Sequence, residues 1–80
     1  MRIDKFLKVS RILKRRSLAA DAANGGRVKI NGRTVKPSHG NNAGDVAEIG
    51  FNSGTLKFRV LNVKETVRKE EAETLYEILQ

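Results

Sequence analysis

The chain has 80 residues and a net charge of +7, from sixteen Lys and Arg against nine Asp and Glu. This length provides volume for one hydrophobic core, so we expect one domain over residues 1–80, with a polyanion as its partner. The sequence has no cysteine, which excludes disulfides and thiolate metal sites. With only one histidine as well, it predicts no metal, no cofactor and no catalytic centre. No apolar run reaches the roughly 18 residues that span a bilayer, so no membrane span is predicted.

The first predicted helix is short, with one apolar and one basic side. Its apolar side follows the i, i+3, i+4, i+7 spacing of a helix, at Ile3, Phe6, Leu7 and Ser10. The basic residues of its other side are Lys5, Lys8 and Arg11. Asp4 falls in the first turn, where a carboxylate meets the positive end of the helix dipole. Residues 11–15 are predicted to form a bend before the next helix.

A second, alanine-rich helix is predicted from Ser17 to Asn24. Its small side chains allow another backbone to approach closely. Gly25 and Gly26 are expected to end it, because glycine readily takes the left-handed conformation that closes a helix. A phosphate-binding role for this glycine pair is the sharper hypothesis, and helix termination is the preferred one.

A β-hairpin is predicted next. Residues 27–30 alternate basic and apolar side chains, Asn31-Gly32 is the preferred pair for a type I′ turn, and residues 33–36 return as the second strand before Pro37. The basic residues of this hairpin are Arg27, Lys29, Arg33 and Lys36, and we expect them to extend the basic surface of the two helices.

A loop over residues 38–44, in which His39 is expected to be exposed, leads to a second predicted hairpin. The side chains predicted to face the core are Ala47, Ile49 and Phe51 on the first strand and Leu56, Phe58 and Val60 on the second. Lys57 and Arg59 are expected on the solvated face of the sheet.

The last predicted element is an amphipathic helix over residues 66–80. Its apolar stripe consists of Ala72, Leu75, Tyr76 and Leu79. Its outer face is acidic, through Glu70, Glu71, Glu73 and Glu77. We therefore expect this helix to pack on the sheet and to make no contact with a polyanion.

The charge is polarised along the chain. Residues 1–36 carry eleven Lys and Arg against two Asp, a net +9, whereas residues 37–80 carry five against seven acids, a net −2. The few aromatic residues are all predicted on apolar faces, which argues against base stacking. The pattern therefore indicates binding to structured RNA through shape and backbone, and charge alone leaves DNA open.

Several spaced motifs resemble one RNA-binding family. They are Arg2-Ile-Asp-Lys-Phe-Leu, Lys14-Arg-Arg-Ser-Leu-Ala, Gly26-Arg-Val-Lys-Ile-Asn-Gly, Lys36-Pro-Ser and Gly44-Asp. Together they resemble the domain named after small-subunit ribosomal protein S-four, also called the alpha-L motif, over residues 1–63. The resemblance implies an α+β fold of two short N-terminal helices on a mostly antiparallel sheet of four to five strands, followed by the C-terminal helix.

Within that superfamily the chain is similar to the bacterial RqcP family and to the related fifteen-kilodalton heat-shock proteins. The chain ends at Gln80 without the long basic tail of the heat-shock protein, which favours the RqcP branch. Ala23 departs from the larger aliphatic residue that the family pattern usually has there. The RqcP resemblance implies a cytoplasmic, monomeric, non-enzymatic factor of ribosome-associated quality control. It would bind large-subunit rRNA and P-site peptidyl-tRNA during alanine tailing of stalled chains, with an RqcH-like partner.

The motif positions also imply which residues bind RNA. The RNA-binding residues expected from these positions are Arg2, Lys5, Lys8, Arg11, Lys14, Arg15 and Arg16. Arg27 and Lys29 of the first hairpin are also expected to bind RNA, because they extend this basic surface. Asp4 is expected to orient an arginine, with Arg16 as the candidate.

Three alternatives remain open at this level. One is a heat-shock-type factor that recycles large subunits blocked by peptidyl-tRNA. The second is an RNA-targeting module of an RNA-modifying enzyme or a tRNA synthetase. The third is a basic amphipathic helix over residues 2–16 that lies on an anionic membrane surface. The last alternative would leave the hairpin motifs unexplained.

Overall fold

Two short helices form at the start of the chain, where the sequence places its first apolar stripe and its alanine run. In the computed structural model, which describes residues 1–79, α1 spans Ile3–Val9 and α2 spans Arg16–Asn24. The bend between them at residues 10–15 is as predicted. No helix in the described part of the chain is long and apolar enough to cross a membrane.

The glycine pair ends α2 as predicted. Gly26 has a φ of +75°, and this left-handed residue turns the chain so that two amides reach back to the last turn of the helix. The Gly26 N–H donates to the Ala23 carbonyl at 3.1 Å, and the Arg27 N–H donates to the Ala22 carbonyl at 2.9 Å. Both bonds belong to the Schellman motif that commonly follows a helix.

Within the described residues, five antiparallel strands form one sheet in the order β2-β1-β3-β4-β5. Their bounds are β1 Val28–Ile30, β2 Arg33–Thr34, β3 Val46–Phe51, β4 Gly54–Val60 and β5 Tyr76–Ile78. Ile30 pairs with Arg33 across the turn, and φ is positive at both Asn31 (52°) and Gly32 (85°), as a type I′ turn requires. The first hairpin prediction is confirmed, although its second strand ends at Thr34.

The core lies between the two helices and one face of the sheet. Fully buried side chains of α1 meet alternate residues of β1, β3 and β4, and the small alanines of α2 let that helix approach. Phe6 and Phe58 stack with ring centroids 6.4 Å apart and an angle of 13° between their planes, and Tyr76 meets Phe58 edge-on at 5.9 Å. This aromatic column joins α1, β4 and β5.

The loop after β2 fixes the start of α1. The first amides of α1 need acceptors outside the helix. The Ile3 N–H donates to the His39 carbonyl at 2.8 Å, and the Asp4 N–H donates to the Pro37 carbonyl at 3.3 Å. The exposed imidazole of His39 agrees with its predicted loop position. This loop therefore holds the basic N-terminus against the first hairpin.

The prediction of one C-terminal helix over residues 66–80 is wrong in its extent. A four-residue helix, α3 (Lys69–Ala72), is followed by a 3₁₀ turn (Glu73–Leu75) and then by strand β5, while Gln80 lies outside the described residues. The backbone of residues 76–78 pairs with β4 instead of continuing the helix. Glu77, predicted on an outer helix face, instead faces Arg59 across the strands, with 3.0 Å between Oε1 and Nη1.

Phe51 also departs from its predicted burial. Ala47 and Ile49 are completely buried, but Phe51 is 42% exposed. Phe51 pairs with Gly54 at the end of the β3–β4 ladder. Phe51 therefore keeps its predicted place in the alternation with Ala47 and Ile49 but is not buried with them.

Candidate nucleic-acid interface

The outward sides of α1, of the bend and of the start of α2 carry a continuous run of cations, here called the basic ridge. Packing of the apolar sides of the helices into the core leaves these cations at the surface. All are exposed except Lys5, which is half-buried. The residues of the basic ridge are Arg2, Lys5, Lys8, Arg11, Lys14, Arg15 and Arg16.

Asp4 holds two arginines of the basic ridge. Its carboxylate is buried, with the residue only 3% exposed. Arg2 donates to both of its oxygens, from Nε to Oδ1 at 3.2 Å and from Nη2 to Oδ2 at 3.1 Å. Arg16 Nη2 lies 3.4 Å from Oδ1. The predicted pairing with Arg16 is present, and the bidentate pairing with Arg2 was not foreseen from the sequence.

This arrangement makes a fork of two guanidinium groups on one carboxylate. The arginine side chains remain 52% and 47% exposed, so donors that do not face Asp4 are open to solvent. A guanidinium has five N–H donors, and two parallel donors match two phosphate oxygens. Asp4 therefore restricts the rotamers of both arginines and lowers the entropy that phosphate binding would cost.

Within residues 1–79, Lys5 is the one cation of the basic ridge that forms an ion pair with an acid from the C-terminal half. Its ammonium group donates to the Glu65 carboxylate. This hydrogen bond, together with the positive charge of Lys5, lowers the pKa of Glu65 below its ordinary value of 4.5. Glu65 is fully exposed, so water screens the attraction strongly.

The contact between Lys5 and Glu65 gives a prediction for RNA binding. We expect Glu65→Gln to strengthen RNA binding by about twofold at low salt and to have no effect at high salt, because the released charge is exposed and screened. Because the pKa of Glu65 is lowered, the contact is complete above pH 4.5 and is lost as the pH falls through the lowered value. Binding titrations at two salt concentrations check the effect. Equal affinities at low salt would contradict it.

Three cations of the basic ridge line a shallow cleft of about 290 Å³. Lys8, Arg11 and Lys14 lie along the cleft, and residues 65–67 form its opposite wall. Leu13 also reaches this cleft from the bend. The arrangement suits a phosphodiester backbone that runs along the cations, with Glu65 as the one carboxylate among the lining residues.

Arg11 has an unusual backbone conformation. Its φ of +62° lies in the left-handed region, which L-residues with a Cβ rarely adopt. The Arg11 N–H donates to the Lys8 carbonyl at 3.1 Å, and the Leu13 N–H donates to the Leu7 carbonyl at 3.0 Å, so the turn is fixed on both sides. Such strain costs about 1–2 kcal/mol and is often found at functional sites.

The strain at Arg11 predicts opposite effects on stability and binding. Because asparagine tolerates the left-handed region, we expect Arg11→Asn to raise the free energy of unfolding by up to about 1 kcal/mol. Loss of the cation should weaken RNA binding by about threefold to tenfold. Denaturant titration followed by circular dichroism and RNA titration measure the two quantities. A variant that loses both stability and affinity would contradict the assignment.

The structure separates Lys29 from the basic ridge, but Arg27 lines a cavity together with Leu13 and Leu18, which adjoin it. Lys29 lies between the buried Val28 and Ile30 and therefore points to the outer face of the sheet, where it pairs across the strands with Glu48. Arg27 lies before β1 and its carbonyl accepts the Gly50 N–H at 2.8 Å. RNA binding by Arg27 and Lys29 remains a prediction, and Lys29 would need a second RNA surface.

A second basic groove lies between the first hairpin and the loop that follows it. It has a volume of about 800 Å³, and Arg33, Lys36 and His39 are its basic lining residues. Asp45 also reaches the groove, where its carboxylate accepts hydrogen bonds from the Asn31 side chain at 3.1 Å and from the Asn42 N–H at 2.8 Å. Because that loop also binds the start of α1, the groove adjoins the basic ridge near Arg2.

An apolar cavity borders the other side of the basic ridge. It has a volume of about 260 Å³ and lies between α2 and the end of the β3–β4 hairpin. Leu18 and Phe51, both large and partly exposed, contribute to its wall together with Arg27. Sequence alternation did not reveal this cavity, because it places Phe51 inside the core.

The comparisons with known proteins agree with this geometry. The family model described as the S4 domain matches residues 1–46, which contain the whole basic ridge. A curated relative from Halalkalibacterium halodurans, named RQC P-site tRNA stabilizing factor, is 50% identical over 78 residues, covering 98% of this chain and 89% of the relative. A relative of the same name from Streptococcus pneumoniae is 46% identical, covering 99% of this chain and 90% of the relative.

A solved structure shows the same fold. Heat shock protein 15 of Vibrio cholerae, described as a trimer, superposes with a TM-score of 0.90 at 30% sequence identity. The match covers 98% of this chain and 80% of that one. The predicted α+β architecture and the predicted resemblance to both branches of the superfamily are thereby confirmed.

Proposed function

Because this chain belongs to the S4 domain family and matches P-site tRNA stabilizing factors over nearly its whole length, we propose that it binds RNA on large ribosomal subunits obstructed by peptidyl-tRNA. In this role it would act in ribosome-associated quality control and hold the P-site tRNA while a stalled chain is extended with alanine. The basic ridge would contact rRNA and the tRNA backbone.

The observation that carries the proposal is the fork formed by Arg2, Asp4 and Arg16. A diffuse positive surface attracts any polyanion, but two guanidinium groups held by a buried carboxylate present donors in a fixed geometry. Fixed donors suit phosphates whose spacing is also fixed, as in folded rRNA and tRNA.

The partners follow from this role. Large-subunit rRNA and P-site peptidyl-tRNA are the proposed ligands, and an RqcH-like protein is the proposed protein partner. A cytoplasmic monomer without catalytic activity fits these partners. The exposed carboxylates of Glu70, Glu73 and Glu77 would face away from the RNA, whereas Glu65 borders the cationic cleft.

A second candidate function is supported by the fold. The high similarity to heat shock protein 15 favours a factor that recycles large subunits blocked by peptidyl-tRNA. Both functions use the same particle and the same basic ridge. They differ in whether an RqcH-like protein and alanine tailing are required.

A substitution of Asp4 distinguishes orientation of the two arginines from simple charge attraction, because the two effects predict opposite changes in RNA affinity. Asp4→Asn removes a negative charge, so an unstructured electrostatic surface would bind RNA more tightly. We expect weaker binding instead, by about threefold to tenfold, because Arg2 and Arg16 lose the carboxylate that orients them. Binding to large subunits, with circular dichroism as the control for folding, measures the change. Tighter binding would contradict the orienting role of Asp4.

Co-sedimentation with ribosomal particles tests the proposal as a whole. The protein would be centrifuged with small subunits, vacant large subunits and large subunits carrying peptidyl-tRNA, across a salt series. We expect enrichment on the peptidyl-tRNA-bearing particle. If about five phosphates are neutralised, log K should fall against log salt with a slope of roughly −3.5 to −4.5.

The outcomes of this experiment are distinct. Equal and steeply salt-sensitive binding to every particle would leave only general RNA binding and overturn the specific role. If enrichment is found, capture of an RqcH-like protein on the same particles supports alanine tailing. Its absence under tailing conditions supports the heat-shock-type function.

A further inference from the structure

The apolar cavity beside the basic ridge has the chemistry of a nucleobase site. We propose that it receives one unpaired base of the RNA whose backbone lies on the basic ridge, with that base stacked on the ring of Phe51. This inference rests on the proposed RNA-binding function and adds to it a contact with a base. Leu18 and Phe51 are 48% and 42% exposed and are the large apolar side chains of this cavity that solvent reaches most.

The cavity and the cationic cleft are neighbours that share one wall residue. Leu13, in the bend, lines both the cleft that contains Lys8, Arg11 and Lys14 and the apolar cavity. A phosphodiester backbone bound along these cations would therefore lie on the other side of Leu13 from the cavity. A base turned out from such a backbone could enter the cavity past this side chain.

The lining residues fit a base in polarity and shape. Ala22, Ile49 and Gly50 are the small or buried apolar members of the lining, and Phe51 supplies an aromatic face. Arg27 supplies a planar cation, which stacks on bases as well as on aromatic rings. The Asn52 amide is the polar group able to meet the edge of a base.

Charge and size favour a base over a protein partner. The lining residues include the cation Arg27 and no carboxylate, which complements a polyanion. The volume of about 260 Å³ suits one ring system. A stable protein interface generally buries about 1,200–2,000 Å² in total, far more than a recess of this kind offers.

Two oligomers of equal charge test the proposal. The probes are a fluorescently labelled ten-nucleotide oligoadenylate and a ribose-phosphate oligomer of the same length without bases. Fluorescence anisotropy at low salt gives both dissociation constants. We expect the oligoadenylate to bind at least about fivefold more tightly, which corresponds to about 1 kcal/mol, the lower end of measured base–aromatic stacking.

Variants of Phe51 identify the source of the difference. Phe51→Leu keeps an apolar side chain but removes the aromatic face, so it should abolish most of the fivefold preference. Phe51→Tyr should retain it. Ile78→Ala, which removes an equally exposed apolar side chain from β5 at the far edge of the sheet, should leave both constants unchanged. Circular dichroism verifies that each variant is folded.

The results separate failure of this inference from failure of the proposed function. Binding of the abasic oligomer that depends on Arg16, without any preference for bases, would retain the basic ridge and overturn the base site. If neither oligomer binds, the result contradicts both the base site and the proposed RNA-binding function. A preference that survives in Phe51→Leu, or self-association that Phe51→Leu abolishes, would mean that the cavity serves general apolar docking or a second copy of the chain, and would overturn the proposal.

Discussion

Arg16→Ala is expected to reduce affinity for large ribosomal subunits by about tenfold or more while leaving the protein folded. A hydrogen bond to a charged group contributes about 1.5–3 kcal/mol, and tenfold corresponds to about 1.4 kcal/mol. Folding should persist because Asp4 keeps both of its bonds to Arg2, at 3.2 and 3.1 Å. Arg2→Ala should likewise weaken binding to large subunits. That variant should also stay folded, because Asp4 keeps its ion pair with Arg16.

Lys57→Ala is the matched control for this measurement. It removes the same unit of charge, but Lys57 lies on the outer face of the sheet, opposite Glu48. Co-sedimentation across a salt series should give a slope reduced by about 0.7–0.9 for Arg16→Ala and a nearly unchanged slope for the control. Equal losses in the two variants would mean that net charge alone drives binding, and the fork would have no special role.

Phe58→Ala is expected to remove a large part of the free energy of unfolding. Phe58 is completely buried, stacks on Phe6 and receives the edge of Tyr76, so its truncation removes the centre of the aromatic column. Such substitutions cost about 3–5 kcal/mol, whereas a domain of this size is stable by only about 4–12 kcal/mol. Thermal unfolding followed by circular dichroism should show a midpoint at least about 12 °C lower.

Phe51→Ala provides the comparison within the same hairpin. The residue type and the strand pair are the same, but Phe51 is 42% exposed at the end of the ladder. We expect a cost of about 1 kcal/mol. Similar midpoints for Phe51→Ala and Phe58→Ala would show that the aromatic column does not dominate the stability of the core.

Local chemistry accounts for the parts of the fold that could be predicted from the sequence. Asn31-Gly32 requires only two residues able to adopt positive φ, and Gly25-Gly26 ends α2 through bonds to its own last turn. Neither feature depends on distant parts of the chain. The apolar side of α1 likewise has the spacing of a helix, and Ile3, Phe6, Leu7 and Ser10 are buried as predicted. Asp4 and Val9 are buried as well, which the spacing did not predict.

The predictions fail where contacts with an element that is distant in the sequence determine the local structure. The stripe from Ala72 to Leu79 fits a helix, but the exposed edge of β4 pairs with Tyr76–Ile78 and satisfies the backbone there. Tyr76 then reaches the Phe58 ring, a contact that spacing within the C-terminal segment cannot reveal. Phe51 follows the alternation of β3, but a cavity lies between it and α2, so its side chain stays partly exposed.

The basic surface was likewise predicted in part from the sequence and depended in part on distant contacts. Sequence position identified the cations of the basic ridge and suggested Arg16 as the partner of Asp4. The bidentate bond from Arg2 depends on the turn that begins α1, and the loop around His39 fixes that turn. Lys29 was grouped with the basic ridge by sequence proximity, although strand alternation alone places it opposite to the buried Val28 and Ile30.

The aromatic column has a consequence for folding of the protein during its synthesis on a ribosome. Every cation of the basic ridge is translated before residue 17, but Phe6 has its stacking partner in β4, and the column is complete only with β5. At about 5–20 residues per second, synthesis from Arg16 to Ile78 takes about 3–12 s. During that interval the nascent chain presents a flexible cationic segment without the ordered fork, so shape-selective recognition of RNA begins only after the later strands have emerged.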